Sequence, residues 1–259
     1  MTSLRLHLDH HVARVTLDRA QVRNAFNEEM IGELKKTFDQ LAEQEDIRAI
    51  VLDAQGPAFC AGADLNWMRK MADYTHEENV ADASELASML QSIYLCPKPT
   101  IACVQGDAFA GGLGLVAACD IAVAAEQARF CLSEVKLGLI PATISPYVIR
   151  AIGARAAHRY FLTAEIFDAA CAHQMGLVHE VVKPQALEDT VTALAQSLCK
   201  AAPDAVRACK TLVQTVADRE IDSDLLAYTA QGIAQARASK QGREGVQSFL
   251  QKRKPNWLN

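Results

Sequence analysis

Two glycine-rich segments have the composition and spacing best suited to chemistry. The first spans residues 56–65 (GPAFCAGADL) and the second spans residues 106–114 (GDAFAGGLG). Each follows a short apolar run typical of a buried strand and precedes a stretch predicted to be helical. Small residues at such a junction leave backbone N–H groups free and let a ligand approach the main chain. Two such donors converging on one oxygen would stabilise developing negative charge, so the pair predicts an oxyanion hole.

Neither segment alone is specific, because glycine after a strand also serves tight packing. Neither segment matches the patterns G-x-x-x-x-G-K-[ST] or G-x-G-x-x-G, which bind phosphates. The GLG at residues 112–114 lacks the third glycine that a dinucleotide fingerprint requires. The sequence therefore argues against a nucleotide site.

A third segment, residues 130–141 (FCLSEVKLGLIP), has Glu134 as its only carboxylate. A carboxylate among apolar and small residues is expected to have a raised pKa, which suits proton transfer. A helix cap, or a surface partner for Lys136, is the alternative role for Glu134. Spacing alone leaves both interpretations open.

Length and composition restrict the class of protein. The chain has 259 residues, of which 50% are hydrophobic, so one large domain can bury a sizeable core. A formal charge of −5 argues against a nucleic-acid surface, which needs clustered Lys and Arg. No apolar run reaches the roughly 20 residues of a membrane span, and no basic-then-apolar leader precedes the first strand. We therefore expect a cytoplasmic protein without a membrane partner.

The cysteines and histidines do not form a metal-binding pattern. None of the eight cysteines belongs to a C-x-x-C pair, and they lie among apolar or small residues, so we predict reduced, buried thiols. The cluster His7, His10 and His11 lies between two predicted strands without a nearby carboxylate or thiol pattern. We predict a solvated turn there, and no metal site.

Hydrophobic periodicity predicts an α/β fold. Residues Leu4–Leu8 and Val12–Leu17 alternate as in a hairpin. Short apolar runs predict further strands at Ala49–Leu52, Pro99–Val104 and Ile121–Ala125. Helical spacing covers Asn27–Gln44 and Glu77–Tyr94. Strands that alternate with helices indicate a parallel sheet with helical crossovers. Beyond about Pro184 the pattern predicts only helices, one of which begins at Pro203.

Four motifs in order resemble the crotonase (enoyl-CoA hydratase/isomerase) superfamily, and the resemblance covers essentially the whole chain. They are FCAGADL at 59–65, residues 106–112 with the later CDI at 119–121, residues 133–141 around Glu134, and QGREG at 241–245 through Lys254. The resemblance implies a spiral of strand-strand-helix turns over residues 1–199. It also implies a C-terminal helical region over residues 200–259 that supports homotrimers or dimers of trimers.

The resemblance also assigns roles to individual residues. It implies that the backbone N–H groups of Ala63 and Gly111 hold a thioester oxygen and that Glu134 is catalytic. The substrate is then an acyl-CoA, and neither a metal nor a separate cofactor is implied. The positions that match the family's coenzyme and acyl contacts are Val22, Arg23, Ala61, Asp64, Leu65, Phe249 and Lys252. Asn66 stands where many hydratases have a lysine, so that contact does not carry over.

Gly114 departs from the pattern, because typical hydratases have a first glutamate there and a second at the position of Glu134. Three explanations compete. Glu134 alone deprotonates water and returns that proton to the α-carbon; or Glu134 moves a double bond, as in Δ3–Δ2 enoyl-CoA isomerases; or the protein binds acyl-CoA without turnover. Retention of Glu134 and both oxyanion segments makes the last the weakest.

A finer resemblance favours hydration. Residues 62–71 and 134–148 are similar to the branch of 3-methylglutaconyl-CoA and isohexenylglutaconyl-CoA hydratases, which act in leucine and acyclic-terpene breakdown. The substrates of that branch carry a second carboxylate. Arg69 or Lys70 could meet it, although a solvated helix face is the favoured role of both. Phe109, Ile140 and Tyr147 could line the acyl pocket or pack in the core, and packing is the default expectation for each.

Overall fold

The computed structural model describes residues 3–258, which form ten strands and ten α-helices. The strands are β1 (Leu4–Asp9), β2 (Val12–Leu17), β3 (Ala49–Ala54), β4 (Ala58–Cys60), β5 (Thr100–Val104), β6 (Asp107–Phe109), β7 (Ile121–Ala125), β8 (Arg129–Cys131), β9 (Phe167–Asp168) and β10 (Glu180–Val182). The helices are α1 (Glu28–Glu43), α2 (Leu65–Met71), α3 (His76–Tyr94), α4 (Gly111–Ala118), α5 (Ser145–Thr163), α6 (Ala169–Met175), α7 (Leu187–Lys200), α8 (Pro203–Val216), α9 (Ser223–Ala238) and α10 (Lys240–Leu250). The predicted α/β class is confirmed.

The strands form two sheets, and successive strands along the chain are added to both of them. One sheet has the order β1-β2-β3-β5-β7-β10 and the other has the order β4-β6-β8-β9. The pairs β3/β4, β5/β6 and β7/β8 each add one strand to both sheets, and helical segments connect one pair to the next. This is the spiral of strand-strand-helix turns that the sequence predicts.

Local sequence explains the first elements. β1 and β2 pair antiparallel, as the predicted hairpin requires, and β2 continues parallel to β3. The side chain of Asn27 accepts a hydrogen bond from the Met30 N–H and so caps α1. Residues at helical spacing on α1, including Leu34 and Phe38, are fully buried.

The central strands β3, β5 and β7 of the six-stranded sheet are apolar on both faces, which explains their continuous hydrophobic sequences. Ile50 and Leu52 point into the main core, whereas Val51 points to the opposite face. There it packs in a second cluster that includes Val191 and Ala195 of α7. The sheet is therefore held between two helical layers.

The C-terminal helices are tied to the core by polar contacts. The Arg48 guanidinium donates to the carbonyl oxygens of Cys199 (3.0 Å) and Trp257 (2.7 Å). On α8, the Lys210 ammonium pairs with Asp120 at 2.7 Å. The predicted division of the chain at residues 199 and 200 falls at the end of α7, and it stays a prediction.

The positions of the cysteines and of the N-terminal histidines agree in part with the predictions made from the sequence. Cys60, Cys96, Cys103 and Cys131 are buried, but Cys119, Cys171 and Cys199 are only partly buried and Cys209 is exposed. The prediction of buried thiols is therefore wrong for Cys209, which lies on α8, a helix with no buried residue. His10 lies at the exposed hairpin turn, and the His11 Nδ1 is 2.7 Å from the Asp46 carbonyl oxygen. Within residues 3–258 no helix is long and apolar enough to cross a membrane.

Candidate active site

Three neighbouring parallel strands deliver the predicted segments to one edge of the four-stranded sheet. β4 leads into residues 61–64, β6 leads into residues 110–112, and β8 leads into Glu134. Because the carboxyl ends of parallel strands meet at the same edge, the segments converge although Ala63, Gly111 and Glu134 are far apart in the sequence.

The first free N–H belongs to Ala63. Phe26 and Ala63 form an isolated parallel bridge, in which the Phe26 N–H donates to the Gly62 carbonyl and the Asp64 N–H donates to the Phe26 carbonyl, both at 2.7 Å. In this pattern the N–H of Ala63 itself points away from Phe26. Within residues 3–258 it donates to no other group.

The second free N–H belongs to Gly111, the first residue of α4. An N–H in the first turn has no partner inside its own helix, and the helix dipole favours negative charge there. The Gly111 N–H has no other acceptor among the described residues. Ala110 before it has φ 49° and ψ −122°, an uncommon conformation for a residue with a Cβ. Such strain is typical of functional sites.

Close packing holds the two donors together. A Cβ on Gly62 would lie 3.1 Å from the Cβ of Ala110, and a Cβ on Gly112 would lie 2.4 Å from the Cys60 carbonyl oxygen. The ring of Phe26 lies against Gly111, where a Cβ would meet Cε2 at 2.6 Å. Phe26 therefore contacts both donor segments, through its backbone on one side and its ring on the other.

Glu134 lies just beyond β8, at the start of a short 3₁₀ helix over Glu134–Leu137. The preceding strand is held to the second donor segment, since the Ala110 N–H donates to the Cys131 carbonyl oxygen at 2.8 Å. The side chain is half-buried, and its Oε2 is buried without a hydrogen-bond partner. Burial raises the pKa of Glu134, and a backbone hydrogen bond offsets part of that rise.

The contacts of Glu134 argue against a role as a helix cap or as a partner for Lys136. Among the described residues no ion pair joins it to Lys136, which is exposed. Its buried Oε2 does not cap a helix. A carboxylate with one unpartnered oxygen and a raised pKa is suited to accept and return a proton.

The comparison with known proteins agrees with this geometry. The sequence model of the family "Enoyl-CoA hydratase/isomerase" matches residues 8–259. The chain belongs to the enoyl-CoA hydratase/isomerase family.

Individual relatives are similar over nearly their full length. A Thermus thermophilus protein named for enoyl-CoA hydratase is 35% identical over 247 residues, which cover 95% of this chain and 97% of the relative. A crystal structure from Legionella pneumophila, named for enoyl-CoA hydratase/isomerase (crotonase), has a TM-score of 0.95 and 47% identity over 99% of both chains. An enoyl-CoA hydratase from Shewanella pealeana has a TM-score of 0.96 and 45% identity over 98% of this chain and 96% of its own.

Gly114, where the family resemblance expects a glutamate, is buried on α4. A Cβ at this position would lie 2.2 Å from the Cγ2 of Ile144. The structure therefore leaves no room for a longer side chain at residue 114 as long as Ile144 stays in place.

Asp64, predicted to line the coenzyme path, is engaged in structural contacts. It is buried, its carboxylate pairs with Arg19 at 2.8 Å, and it accepts the Asn66 N–H at the start of α2. Burial alone would raise the pKa of Asp64, but the hydrogen bonds from Asn66 and Arg19 hold it below its ordinary value. Leu65, by contrast, is 69% exposed beside the Ala63 donor and is free to contact a ligand.

The early-loop positions lie beside the first donor segment. The Ala61 N–H donates to the Arg23 carbonyl oxygen at 3.0 Å, so the structure brings these two predicted residues together. Arg23 has a left-handed backbone, and its guanidinium pairs with the buried Asp107 at 2.9 Å. Val22 precedes it and is 38% exposed.

The C-terminal positions do not join the site within this chain. Phe249 is 81% exposed near the end of α10, and Lys252 follows with a left-handed backbone. In the part of the chain that the structure describes, no hydrogen bond or ion pair joins either side chain to the donor segments. Their contact with the coenzyme stays a prediction.

Three residues at the site were missed by the sequence reasoning. They are Phe26, Ala110 and Ile144. A lone apolar residue such as Phe26 or Ile144 has no local signal, since its contacts lie on distant elements.

Of the residues expected to pack the core, Tyr147 does so in part, with its ring 5.3 Å from that of Tyr94, whereas Ile140 is 73% exposed. The expectation is wrong for Ile140.

No metal centre accompanies the site in the described part of the chain. Residues 3–258 contain no group of three or more His, Cys, Asp or Glu side chains placed to hold a metal ion. What the arrangement offers is two main-chain dipoles and one protonatable carboxyl.

Proposed function

We propose that this protein adds water across the α,β double bond of an unsaturated acyl-CoA. The observation that carries the proposal is the half-buried Glu134, with one carboxylate oxygen unpartnered. It lies just beyond β8, in the same sheet as the strands β4 and β6 that lead into the two free N–H donors. Family membership supplies the acyl-CoA class of substrate.

In the first half of the reaction, Glu134 accepts a proton and the two N–H donors stabilise negative charge. The thioester oxygen accepts hydrogen bonds from the Ala63 and Gly111 N–H groups, which polarises the conjugated double bond. The Glu134 carboxylate removes a proton from water while the water oxygen bonds to the β-carbon. The π electrons move onto the thioester oxygen, and the enolate so formed is stabilised by the two donors.

The second half of the reaction returns the proton. The enolate collapses, and its α-carbon takes the proton from the Glu134 carboxyl. Water has then been added as H on the α-carbon and OH on the β-carbon, and Glu134 is ionised again. A raised pKa suits this proton transfer, because it lets the Glu134 carboxyl hold the proton between the two steps at a pH closer to neutral. The scheme requires no cofactor.

The finer proposal is a substrate of the 3-methylglutaconyl-CoA or isohexenylglutaconyl-CoA type. Its support is the similarity of residues 62–71 and 134–148 to that branch. The basic residues of α2 do not contribute further support. Arg69 donates to the Asn66 side chain at 2.6 Å, Lys70 pairs with Glu28 at 2.9 Å, and both are exposed.

A second candidate, Δ3–Δ2 enoyl-CoA isomerisation, is favoured by one observation. Glycine at residue 114 leaves Glu134 as the acid or base, and a single carboxyl suffices to carry a proton from the α-carbon to the γ-carbon. Hydration and isomerisation differ in what happens to the conjugated thioester.

One assay separates the candidates. Crotonyl-CoA, 3-methylglutaconyl-CoA and a 3-enoyl-CoA are each mixed with the enzyme, and the ultraviolet absorbance of the conjugated thioester is followed. Hydration lowers the absorbance of the first two, whereas isomerisation raises that of the third. No change with any of the three, together with measurable acyl-CoA binding, would overturn the catalytic proposal in favour of a binding protein.

We also propose that the chain assembles as a trimer or a dimer of trimers. The support is the apolar surface of the C-terminal helices, where Val213, Leu226, Phe249 and Leu250 are each at least 60% exposed. Sedimentation equilibrium of the full chain tests the assembly, and a monomer at micromolar concentration would contradict it.

A further inference from the structure

Gly114 lies one helical turn after the Gly111 donor, so both residues project from nearly the same side of α4. A Cβ on Gly114 would lie 2.2 Å from Cγ2 and 2.8 Å from Cβ of Ile144. The next neighbour, Cδ2 of Leu90, would be at 3.8 Å, an ordinary contact. Ile144 alone therefore prevents any side chain at residue 114.

Ile144 is held in place from the other side. It is 2% exposed and immediately precedes α5, where its carbonyl oxygen accepts the N–H groups of Tyr147 and Val148 at 3.1 Å. The first turn of α5 therefore fixes its backbone. α5 also packs against the short helix that begins with Glu134. Ile144 thus lies at the start of a helix that packs against both the Glu134 segment and α4.

We propose that Ile144 is a positioning residue that keeps the site to a single carboxyl, because its side chain occupies the volume that a side chain at residue 114 would need. The inference rests on the proposed hydration at Glu134. A second carboxyl at residue 114 therefore requires two changes. Residue 114 must become an acid, and Ile144 must become smaller to make room for it.

The packing half of the proposal is tested by thermal unfolding of Gly114→Ala in four backgrounds. In the parent chain we expect a loss of roughly 5 °C in Tm, from overpacking in a buried site. Ile144→Val keeps Cγ2, so the loss should persist. Ile144→Ala removes Cγ2 but leaves the Cβ at 2.8 Å, so the loss should be smaller. Ile144→Gly removes both atoms, and the loss should vanish.

Glycine is acceptable at residue 144, because Gly is tolerated at the position before a helix. The comparison within each background isolates the Gly114 effect from the cost of the Ile144 change itself. An equal loss of Tm in all four backgrounds would overturn the proposal.

The chemical half is tested by the pH dependence of kcat. In Gly114→Glu/Ile144→Gly a second carboxyl joins Glu134, and we expect the rising limb to lie at higher pH than in the parent enzyme, since a nearby like charge disfavours the ionised form of Glu134. Gly114→Gln/Ile144→Gly adds no charge, so it is the matched control and should keep its rising limb at lower pH. Identical profiles for the two folded variants would overturn the proposal.

The outcomes separate this inference from the proposed function. A parent enzyme that hydrates none of the tested substrates refutes the function, while the thermal series still decides the packing of Gly114 against Ile144. If Gly114→Glu/Ile144→Gly does not fold, the thermal series decides the proposal alone.

Discussion

Two acidic residues near the predicted oxyanion hole are treated in opposite ways by the fold. Asp64 is buried, and its carboxylate is used by the Arg19 guanidinium and by the first turn of α2. Glu134 is half-buried, and its Oε2 has no partner. The pKa of Asp64 is held below its ordinary value and that of Glu134 is raised above it. A carboxylate with satisfied hydrogen bonds holds structure, whereas one without them is available to exchange a proton.

The largest expected effect is that of Glu134→Gln on turnover. Removing a group that transfers a proton in the transition state costs about 10²–10⁴-fold in rate, so we expect kcat for the best enoyl-CoA substrate to fall by that factor. Initial rates from the loss of thioester absorbance provide the measurement. Glu29→Gln, at an exposed position in the first turn of α1, is the control and should leave kcat unchanged. A folded Glu134→Gln enzyme with full turnover would remove Glu134 from the mechanism.

Asp64→Ala should act on stability. It leaves the mostly buried Arg19 guanidinium without its carboxylate partner and removes a helix cap, and breaking such a pair costs up to about 3–5 kcal/mol. Urea unfolding measures the loss. Asp39→Ala, which breaks the exposed pair with Lys35, is the control and should change stability little. A negligible change at Asp64 would show that the comparison of the two acids is mistaken.

The pH dependence of kcat should report the raised pKa. Glu134 must be ionised to accept a proton from water, so kcat should rise with pH through the pKa of Glu134 in the enzyme–substrate complex. Because burial raises that pKa, the midpoint should lie above about 4.3, the ordinary value for glutamic acid. A midpoint at or below the ordinary value would contradict the assigned burial.

The smallest effect is a stability gain in Glu134→Gln. A carboxyl whose pKa is raised on folding weakens the folded state wherever it is ionised in the unfolded chain. Glutamine has no charge to bury, so its Tm should exceed that of the parent chain at pH 8. The difference should disappear below about pH 4, where glutamic acid is protonated in both states. Differential scanning calorimetry at the two pH values tests this, and an unchanged or lower Tm at pH 8 would contradict it.

The sequence predicted the parts of this site that depend on local pattern. The pattern of strand, glycine-rich turn and helix start located the segments 56–65 and 106–114, and the family resemblance assigned the donors to Ala63 and Gly111 within them. Isolation of Glu134 among apolar neighbours indicated its raised pKa. The role of Asp64 was also encoded locally, because Asp directly before a helical stretch is a common cap, but the family resemblance directed attention to a ligand contact instead.

What the sequence left out depends on contacts between distant elements. Phe26 reaches Ala63 and Gly111 across the fold, and Ile144 reaches Gly114 from another helix. No periodicity within one element contains such information. The exposure of Cys209 and Ile140 has a similar origin, since both were assigned to the interior by residue type while their neighbours lie at the surface.

The pairing of Phe26 with Ala63 has a consequence for how this enzyme tolerates mutation. The hydrogen bonds on either side of Ala63 fix the direction of its N–H, so the donor is a by-product of strand pairing and belongs to no side chain. A single substitution can remove the carboxyl of Glu134. At residue 63, by contrast, every amino acid except proline supplies the same main-chain N–H. The proposed donor at Ala63 is therefore inherited with the loop geometry. Point mutation reaches it only through neighbours such as Gly62 and Gly112, where an added side chain would displace the loop.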